Sequence, residues 1–258
     1  MIPRKSVLWT ALIILSTATL LCAQKNPSSN DKKNAQQPAK TVDASSFSIL
    51  VNGRQVAREI FHIESHSGEA LIHSELHYAN GDTKAEQTAD LQLGANGTLK
   101  KYMWKESLPG NSMVAVDPVN DNFLTLRYVE NGTDMTKAKD LTQPLGTDTN
   151  ILDDNFFSHI EVLAWKYLAS ACKPNEKGVT QCKADAIRYP ILIPHQQTSF
   201  IMSVQLTGQA KCKWKSADHD CTSLKLTTES GEWTVFLDSA DYKMLRVLTP
   251  DGLEVVRE

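Results

Sequence analysis

Four of the seven histidines in this 258-residue chain lie close together, at His62, His66, His73 and His77. The segments around Ser67-Gly68-Glu69 alternate apolar and polar residues, which predicts two strands joined by a turn. If the connecting loop has an even number of residues, all four imidazoles share one strand face with Glu64 and Glu75. Imidazoles and a carboxylate are ligands for Zn²⁺ or Cu²⁺. The hairpin is therefore a candidate metal site, and an exposed histidine-rich face is the simpler interpretation.

Catalytic signatures with a fixed spacing are absent from the sequence. There is no G-x-S-x-G elbow, no phosphate-binding loop, no dinucleotide fingerprint and no H-E-x-x-H helix. Asp153 and Asp154 precede an apolar segment, so we expect them to cap a helix rather than to perform acid–base chemistry. His159 is expected to be a half-buried helix residue and His195 a solvated loop residue. The sequence therefore predicts no catalytic residue and no cofactor.

Four cysteines after the N-terminal region form two close pairs, Cys172 with Cys182 and Cys212 with Cys221. An even number of cysteines favours disulfides in an oxidising compartment. Of the three possible connectivities we prefer bridges within each close pair, because each then closes a short polar loop. Neither pair has the C-x-x-C spacing of a zinc ribbon or a redox dithiol.

The first 23 residues have the layout of a secretory signal peptide. Arg4 and Lys5 are followed by the apolar run Val7–Leu21 and by the small residue Ala23, after which we expect cleavage. An uncleaved membrane anchor and lipidation of Cys22 are the alternatives, and these are the two ways in which the chain would be tied to a membrane. The sequence thus predicts export to the periplasm or the extracellular space.

Residues 24–44 are rich in Pro, Asn, Gln, Ser and Lys, a composition that predicts a disordered tether. The remaining residues, 45–258, have the length of a single strand-rich domain. Acidic residues number 30 and basic residues 27 in the whole chain. This balance argues against binding to nucleic acid or to an anionic membrane surface.

Period-two alternation recurs through most of this domain, interrupted by turns such as Asn52-Gly53, and it predicts about a dozen strands. That number favours a large curved antiparallel sheet, or half-barrel. One segment, at about 153–171, has helical periodicity instead. Its apolar stripe consists of Phe156, Ile160, Leu163 and Tyr167. We expect this helix to lie against the concave face of the sheet.

Three segments suggest a known architecture: FSILVNG at 47–53, FFSHIEVLAWKYLA at 156–169 and YKMLRVLTPDGLEVVRE at 242–258. With the polar tether, they make the chain resemble the LolA/LolB lipoprotein carriers and related exported bacterial families. The resemblance implies a cavity under the sheet that accepts an acyl chain, lined by the apolar stripe of the helix. The cysteine pairs and the strongly apolar helix distinguish this chain from those carriers.

The expected function is a non-catalytic binding or scaffolding module of the cell envelope, for an apolar ligand or a partner chain. Two alternatives remain open. One is a hydrolase-like enzyme whose site is assembled from several strands. The other is a metal-binding envelope protein that uses the histidine hairpin.

Overall fold

The alternating pattern becomes a long antiparallel sheet in the computed structural model of the chain, which describes residues 39–78, 85–130, 138–177 and 180–258. The predicted signal peptide, Cys22 and most of the predicted tether lie outside the described residues. Within the described ranges, no helix has both the length and the apolar character needed to cross a bilayer.

The described residues form seventeen strands and one helix. The first eight strands are β1 (Lys40–Val51), β2 (Arg54–His66), β3 (Glu69–Tyr78), β4 (Glu86–Leu93), β5 (Leu99–Leu108), β6 (Ser112–Asn120), β7 (Phe123–Val129) and β8 (Lys139–Gln143). The short strand β9 and helix α1 follow, at Asn150–Ile151 and Ser158–Ala171. The remaining strands are β10 (Cys172–Pro174), β11 (Thr180–Cys182), β12 (Ile187–Ile193), β13 (Thr198–Trp214), β14 (Ala217–Thr228), β15 (Gly231–Asp238), β16 (Met244–Leu248) and β17 (Leu253–Arg257).

Fifteen of these strands make one sheet in the order β8-β7-β6-β5-β4-β3-β2-β1-β17-β16-β15-β14-β13-β12-β9. The first described strand, β1, pairs with the last, β17, so two runs of consecutive hairpins meet at this pair. Neighbours are antiparallel except β9, which runs parallel to β12. The predicted mainly β fold, a curved antiparallel sheet around one apolar helix, is confirmed.

The first hairpin shows how local sequence sets the register. Asn52 and Gly53 connect β1 to β2 with φ angles of 52° and 76°. Both values lie in the left-handed region that a two-residue type I′ turn needs, and Asn-Gly is the pair that adopts it most readily. The turn predicted here is therefore confirmed.

The core lies between one face of the sheet and helix α1. Along β2, residues Ala57, Phe61 and Ile63 are buried while His62 between the last two is exposed, as alternation requires. The helix buries nine of its fourteen residues, so its apolar surface is covered around most of its circumference. The largest fully buried side chains are Tyr102, Tyr167, Phe47, Phe61 and Phe156.

A buried ion network holds the helix to the β1–β17 pair. The Nη2 group of Arg257 donates to both carboxylate oxygens of Asp43 at 2.6 Å. Nη1 of Arg257 donates to Oε1 of Glu161 at 3.4 Å, and the same oxygen accepts the Met244 N–H at 2.8 Å. Burial and the nearby Asp43 carboxylate raise the pKa of Glu161, and Arg257 opposes that shift. The helix is thus joined to one end of the sheet's central strand pair.

Several predicted boundaries are wrong. Strand β1 begins at Lys40, so residues 40–44 of the predicted tether belong to the sheet, because Asp43 is bound by Arg257. Helix α1 begins at Ser158 rather than near 153. Strand β13 continues through an irregularity between Leu206 and Gly208.

Both predicted disulfides are present. Cys172 and Cys182 are paired residues of the β10–β11 ribbon, and their Cα atoms are 3.9 Å apart. Cys212 and Cys221 join β13 to β14 with a Cα separation of 5.9 Å. Each bridge therefore closes a short hairpin, one of them directly after the helix.

Truncation of the helix core should unfold the protein more easily. Leu163 is buried between helix and sheet, so Leu163→Ala leaves a cavity and should lower the free energy of unfolding by about 2–5 kcal/mol. The matched control is Ala169→Ser on the exposed side of the helix, which should change it by about 0.5 kcal/mol or less. Urea unfolding curves measure both values, and equal stabilities of the two variants would contradict this packing.

Candidate ligand-binding cavity

The start of helix α1 is capped by a strand rather than by a residue of its own loop. The Phe157 N–H donates to Oε2 of Glu59 at 2.7 Å, and the Ser158 N–H donates to Oε1 at 3.2 Å. Phe157 occupies the N-cap position and makes no side-chain capping bond. The Glu59 carboxylate on β2 therefore satisfies free N–H groups at the positive end of the helix.

Glu59 is fully buried, and this decides its ionisation. Burial raises the pKa of its carboxyl group to about 7, although hydrogen bonds from Ser158, Ser74 and the backbone favour the charged form. The two serine hydroxyl oxygens are also 2.7 Å from each other. The helix start is thus joined to both β2 and β3 by polar contacts inside the core.

Asp153 and Asp154 lie before the helix, but they do not cap it as the sequence analysis predicted. Tyr102 donates its hydroxyl to Oδ2 of Asp153 at 2.5 Å, and Nδ1 of His195 bonds to Oδ1 of the same carboxylate. Nε2 of His195 lies 3.4 Å from Oδ2 of Asp154, which also accepts the Gln196 amide. The pair of carboxylates therefore holds the loop after β12 against the loop before α1.

His195 was predicted to be solvated, and that prediction is wrong. Its ring stacks on Trp104 with 5.5 Å between ring centroids. Burial alone lowers the pKa of His195, but the bonds to Asp153 and Asp154 outweigh burial and raise the pKa to about 10. The side chain is therefore an imidazolium ion at neutral pH.

His159 is a second histidine in the same region, and it behaves in the opposite way. It is 1% exposed, and neither ring nitrogen has a hydrogen-bond partner among the residues that the structure describes. Its ring stacks on Phe156 at 5.7 Å and meets the Tyr102 ring edge to face at 5.8 Å. Burial lowers the pKa of His159 to about 4, and the charge of Asp153 opposes that shift. His159 is therefore a neutral aromatic side chain of the core.

A cavity of about 400 Å³ opens beside these residues, between the helix start and strands β12, β13, β15 and β17. Its apolar lining consists of Leu152, Phe156, Phe157, Ile160, Ile193, Phe200, Met202, Trp233, Pro250 and Leu253. Its polar lining consists of Asp153, Asp154, Asn155, Thr228, Ser230, Thr249 and Asp251. The cavity is thus an apolar space with a polar rim.

Two of the four residues predicted to line a ligand cavity, Phe156 and Ile160, lie at this cavity. Leu163 and Tyr167 do not line it, because the helix turns them into the closed part of the core. The Tyr167 hydroxyl accepts the Leu206 N–H at 2.8 Å and lies 3.1 Å from the Asp185 carbonyl oxygen, to which it donates. The predicted lining is therefore corrected to the residues at the start of the helix.

The histidine hairpin has the predicted shared face but does not form a four-histidine site. Ser67 and Gly68 make a two-residue loop, so His62 lies opposite His73 with ring centroids 5.1 Å apart. His66 lies opposite Glu69, and His77 lies opposite Arg58. Each is four residues along the strand from the central pair, or about 13 Å at 3.3 Å per residue, so one ion does not reach all four.

Of the four histidines in the metal hypothesis, only His62 and His73 face each other across the hairpin. Nδ1 of His73 is 2.6 Å from Oδ1 of Asp90, and Glu75 lies 3.5 Å from Nε2 of the same ring. Glu75 is also 3.6 Å from Nε2 of His77. Across the described ranges, no three His, Cys, Asp or Glu side chains are grouped so that they could hold a metal ion.

Sequence reasoning missed Glu59 and the partners of His195. A signal for Glu59 exists: it occupies a core-facing position of β2 between Ala57 and Phe61, where an acidic residue needs a buried partner. No comparable signal marks His195, because Asp153 and Trp104 are distant in sequence.

No protein-family model matches the chain, and no curated protein matches it. Among solved structures, it is similar to a beta-barrel-like protein of Domain of Unknown Function DUF1849 from Brucella abortus. The identity is 8%, the alignment covers 83% of this chain and 94% of that chain, and the TM-score is 0.49. The sheet order and the internal helix by themselves define the class of this protein, a mainly antiparallel β fold with one buried helix.

The buried Glu59 should make stability depend on pH. Below pH 4.5, the ordinary pKa of a glutamate, the Glu59 carboxyl group is protonated in both the folded and the unfolded protein. Between pH 4.5 and about 7 it ionises only in the unfolded protein. Its contribution is therefore complete below pH 4.5 and is lost as pH rises through 7. Glu59→Gln should remove this loss. Urea unfolding at a series of pH values measures it, with Glu64→Gln on the same strand as control. Parallel curves for the parent and Glu59→Gln would contradict the burial.

The imidazolium of His195 should persist well above its ordinary pH range. Its ring proton signals in NMR spectra should stay constant from about pH 6 to about pH 8 and shift near 10, because the folded pKa is raised. The stability that protonated His195 contributes is fully present below pH 6.5, the ordinary pKa of a histidine. It is lost as the pH rises through about 10, the pKa of His195 in the folded protein. Asp154→Asn should lower the midpoint, and His195→Gln assigns the signals. A titration midpoint near 6.5 for His195 in the parent protein would show that the contacts with Asp153 and Asp154 do not persist in solution.

Proposed function

We propose that this protein is an exported, non-catalytic binding module that holds an apolar ligand, such as an acyl chain, in the cavity beside the start of helix α1. The cavity is the observation that carries the proposal. Its volume of about 400 Å³ and its mainly apolar and aromatic lining fall in the usual range for small-molecule sites, about 300–1,000 Å³.

The elements around the cavity favour a preformed site. Glu59 fixes the start of α1, where Phe156 precedes the helix and Ile160 lies in its first turn, while Met202 and Trp233 project from β13 and β15, which both pair with β14. A site on rigid elements loses less conformational entropy on binding than a site on loops. This arrangement supports retention of a ligand.

The polar groups next to the cavity support a binding role over a catalytic one. Asp153 is bonded to Tyr102 and His195, so its lone pairs are already used to hold two loops together. The two disulfides and the signal-like N-terminus are compatible with an oxidising compartment outside the cytoplasm.

A cavity-filling substitution tests the proposal. Met202 is 1% exposed and lines the cavity, whereas its neighbour Ile201 is 45% exposed on the opposite face of β13. Met202→Trp should fill the cavity and weaken binding of an apolar fluorescent probe by about tenfold or more. Ile201→Trp should leave binding unchanged. Native mass spectrometry of protein purified from its host should detect a bound apolar small molecule in the parent and in Ile201→Trp.

Loss of folding in Met202→Trp is separated from loss of binding by its circular dichroism spectrum. Leu253→Trp provides a second filling variant at a half-buried position of the same cavity, where the larger ring disturbs the core less. Equal probe binding by the parent and by folded filling variants would overturn the proposed site.

A further inference from the structure

The charge around the cavity is one-sided. Its lining includes the carboxylates of Asp153, Asp154 and Asp251, and among the described lining residues there is no lysine or arginine. The Asp154 side chain is 40% exposed, and Asp251 is exposed in the turn between β16 and β17. The polar rim is therefore acidic where a ligand would meet solvent.

The neighbouring cation does not cancel this charge. His195 is an imidazolium that contacts Asp153 and Asp154, but it does not line the cavity. One positive charge against three carboxylates leaves the rim with a net negative charge. Since Asp153 is buried and bonded to Tyr102, the carboxylates of Asp154 and Asp251 are the ones near solvent.

Several uncharged donors of the rim are already engaged. The Asn155 amide donates to the Tyr78 hydroxyl at 2.7 Å, and the hydroxyl groups of Thr228 and Ser230 are 2.8 Å apart. Thr249 donates its hydroxyl to Asp251. A ligand carboxylate would therefore meet negative charge, and these donors would have to give up existing bonds to compensate it.

Aromatic side chains complement a positive group at this position. Trp233 and Phe200 line the same cavity. Aromatic faces attract ammonium groups through the ring quadrupole, and tryptophan does so most strongly. Carboxylates and an aromatic surface around an apolar space favour a ligand that is both apolar and cationic.

We propose that the ligand is a cationic amphiphile, with its hydrocarbon part in the cavity and its amine or quaternary ammonium group between Asp154 and Asp251. This inference rests on the proposed function and specifies the chemistry of the ligand's polar end. Coulomb attraction near a protein surface favours the cation, and the same field disfavours a free fatty acid. Because a cationic amphiphile and a fatty acid carry opposite charges, comparing their affinities for the protein distinguishes the two classes of ligand.

The test compares three probes that share one hydrocarbon chain: dodecyltrimethylammonium, dodecanol and dodecanoate, each below its micellar concentration. Calorimetric titration of protein purified from its host should give the tightest binding for the ammonium compound and the weakest for the carboxylate. The two should differ by about tenfold or more in Kd at low salt, and the difference should shrink at high salt.

Substitution of the rim identifies the charges responsible. Asp251→Asn, and Asp154→Asn combined with it, should reduce the preference for the ammonium compound over dodecanol, measured as the ratio of the two Kd values for the same variant. Glu229→Gln is the matched control, because Glu229 is an exposed acid in the β14–β15 turn that does not line the cavity. It should keep the parent's preference.

The outcomes separate this inference from the proposed function. Equal binding of all three probes, or tighter binding of dodecanoate, would overturn the cationic preference and leave an apolar binding protein. Binding of none of the probes by folded protein would overturn both. A preference that survives both aspartate substitutions would also overturn it, because the charge would then lie elsewhere.

Discussion

The hydrogen bonds between the Glu59 carboxylate and the first N–H groups of helix α1 are the interaction on which the surrounding structure depends. A helix that starts inside a core leaves N–H groups without water, and each unsatisfied buried donor costs about 1–3 kcal/mol. The loop before α1 supplies no side-chain cap, so a strand residue 98 positions away supplies it. This contact therefore helps to hold Phe156 and Ile160 at the cavity wall.

A second attachment joins the helix to the middle of the long sheet. Arg257 binds Asp43 from the neighbouring strand and Glu161 from the helix, where β1 and β17 join the two runs of hairpins. Replacing one partner of such a buried pair leaves an uncompensated charge, which makes the pairing specific. The helix is therefore held at its first turn by β2, through Glu59, and at Glu161 by β16 and β17.

The cavity lies where these constraints leave the sheet and the helix apart. Its apolar lining comes from the start of the helix and from strand positions that face inward, and most of its rim comes from the loops before α1 and between strands. The cluster of Tyr102, Asp153 and His195 keeps two of those loops together, so the polar groups act as supports of the rim. The structure thus combines an apolar space with a fixed negative edge, and both features enter the proposed ligand chemistry.

The sequence by itself determined the features that depend on neighbours in the chain. Period-two alternation predicted the strands, Asn52-Gly53 predicted its turn, and the parity of positions predicted that the four histidines share a face. The short spacing of the cysteines also predicted both disulfides. These succeeded because strand alternation, turn geometry and short loop closure are local properties of the backbone.

Only the tertiary structure decided where the helix begins, which helix residues reach the cavity and what His195 contacts. The carboxylates of Asp153 and Asp154 resemble a local cap in sequence, yet Glu59 caps the helix. Both aspartates contact His195 instead, which lies 42 residues after Asp153. A single charged residue at a core-facing strand position, such as Glu59, shows that a buried polar partner is needed but does not identify that partner. The partner depends on which strands the sheet brings together, and this is set by burial of the whole apolar face.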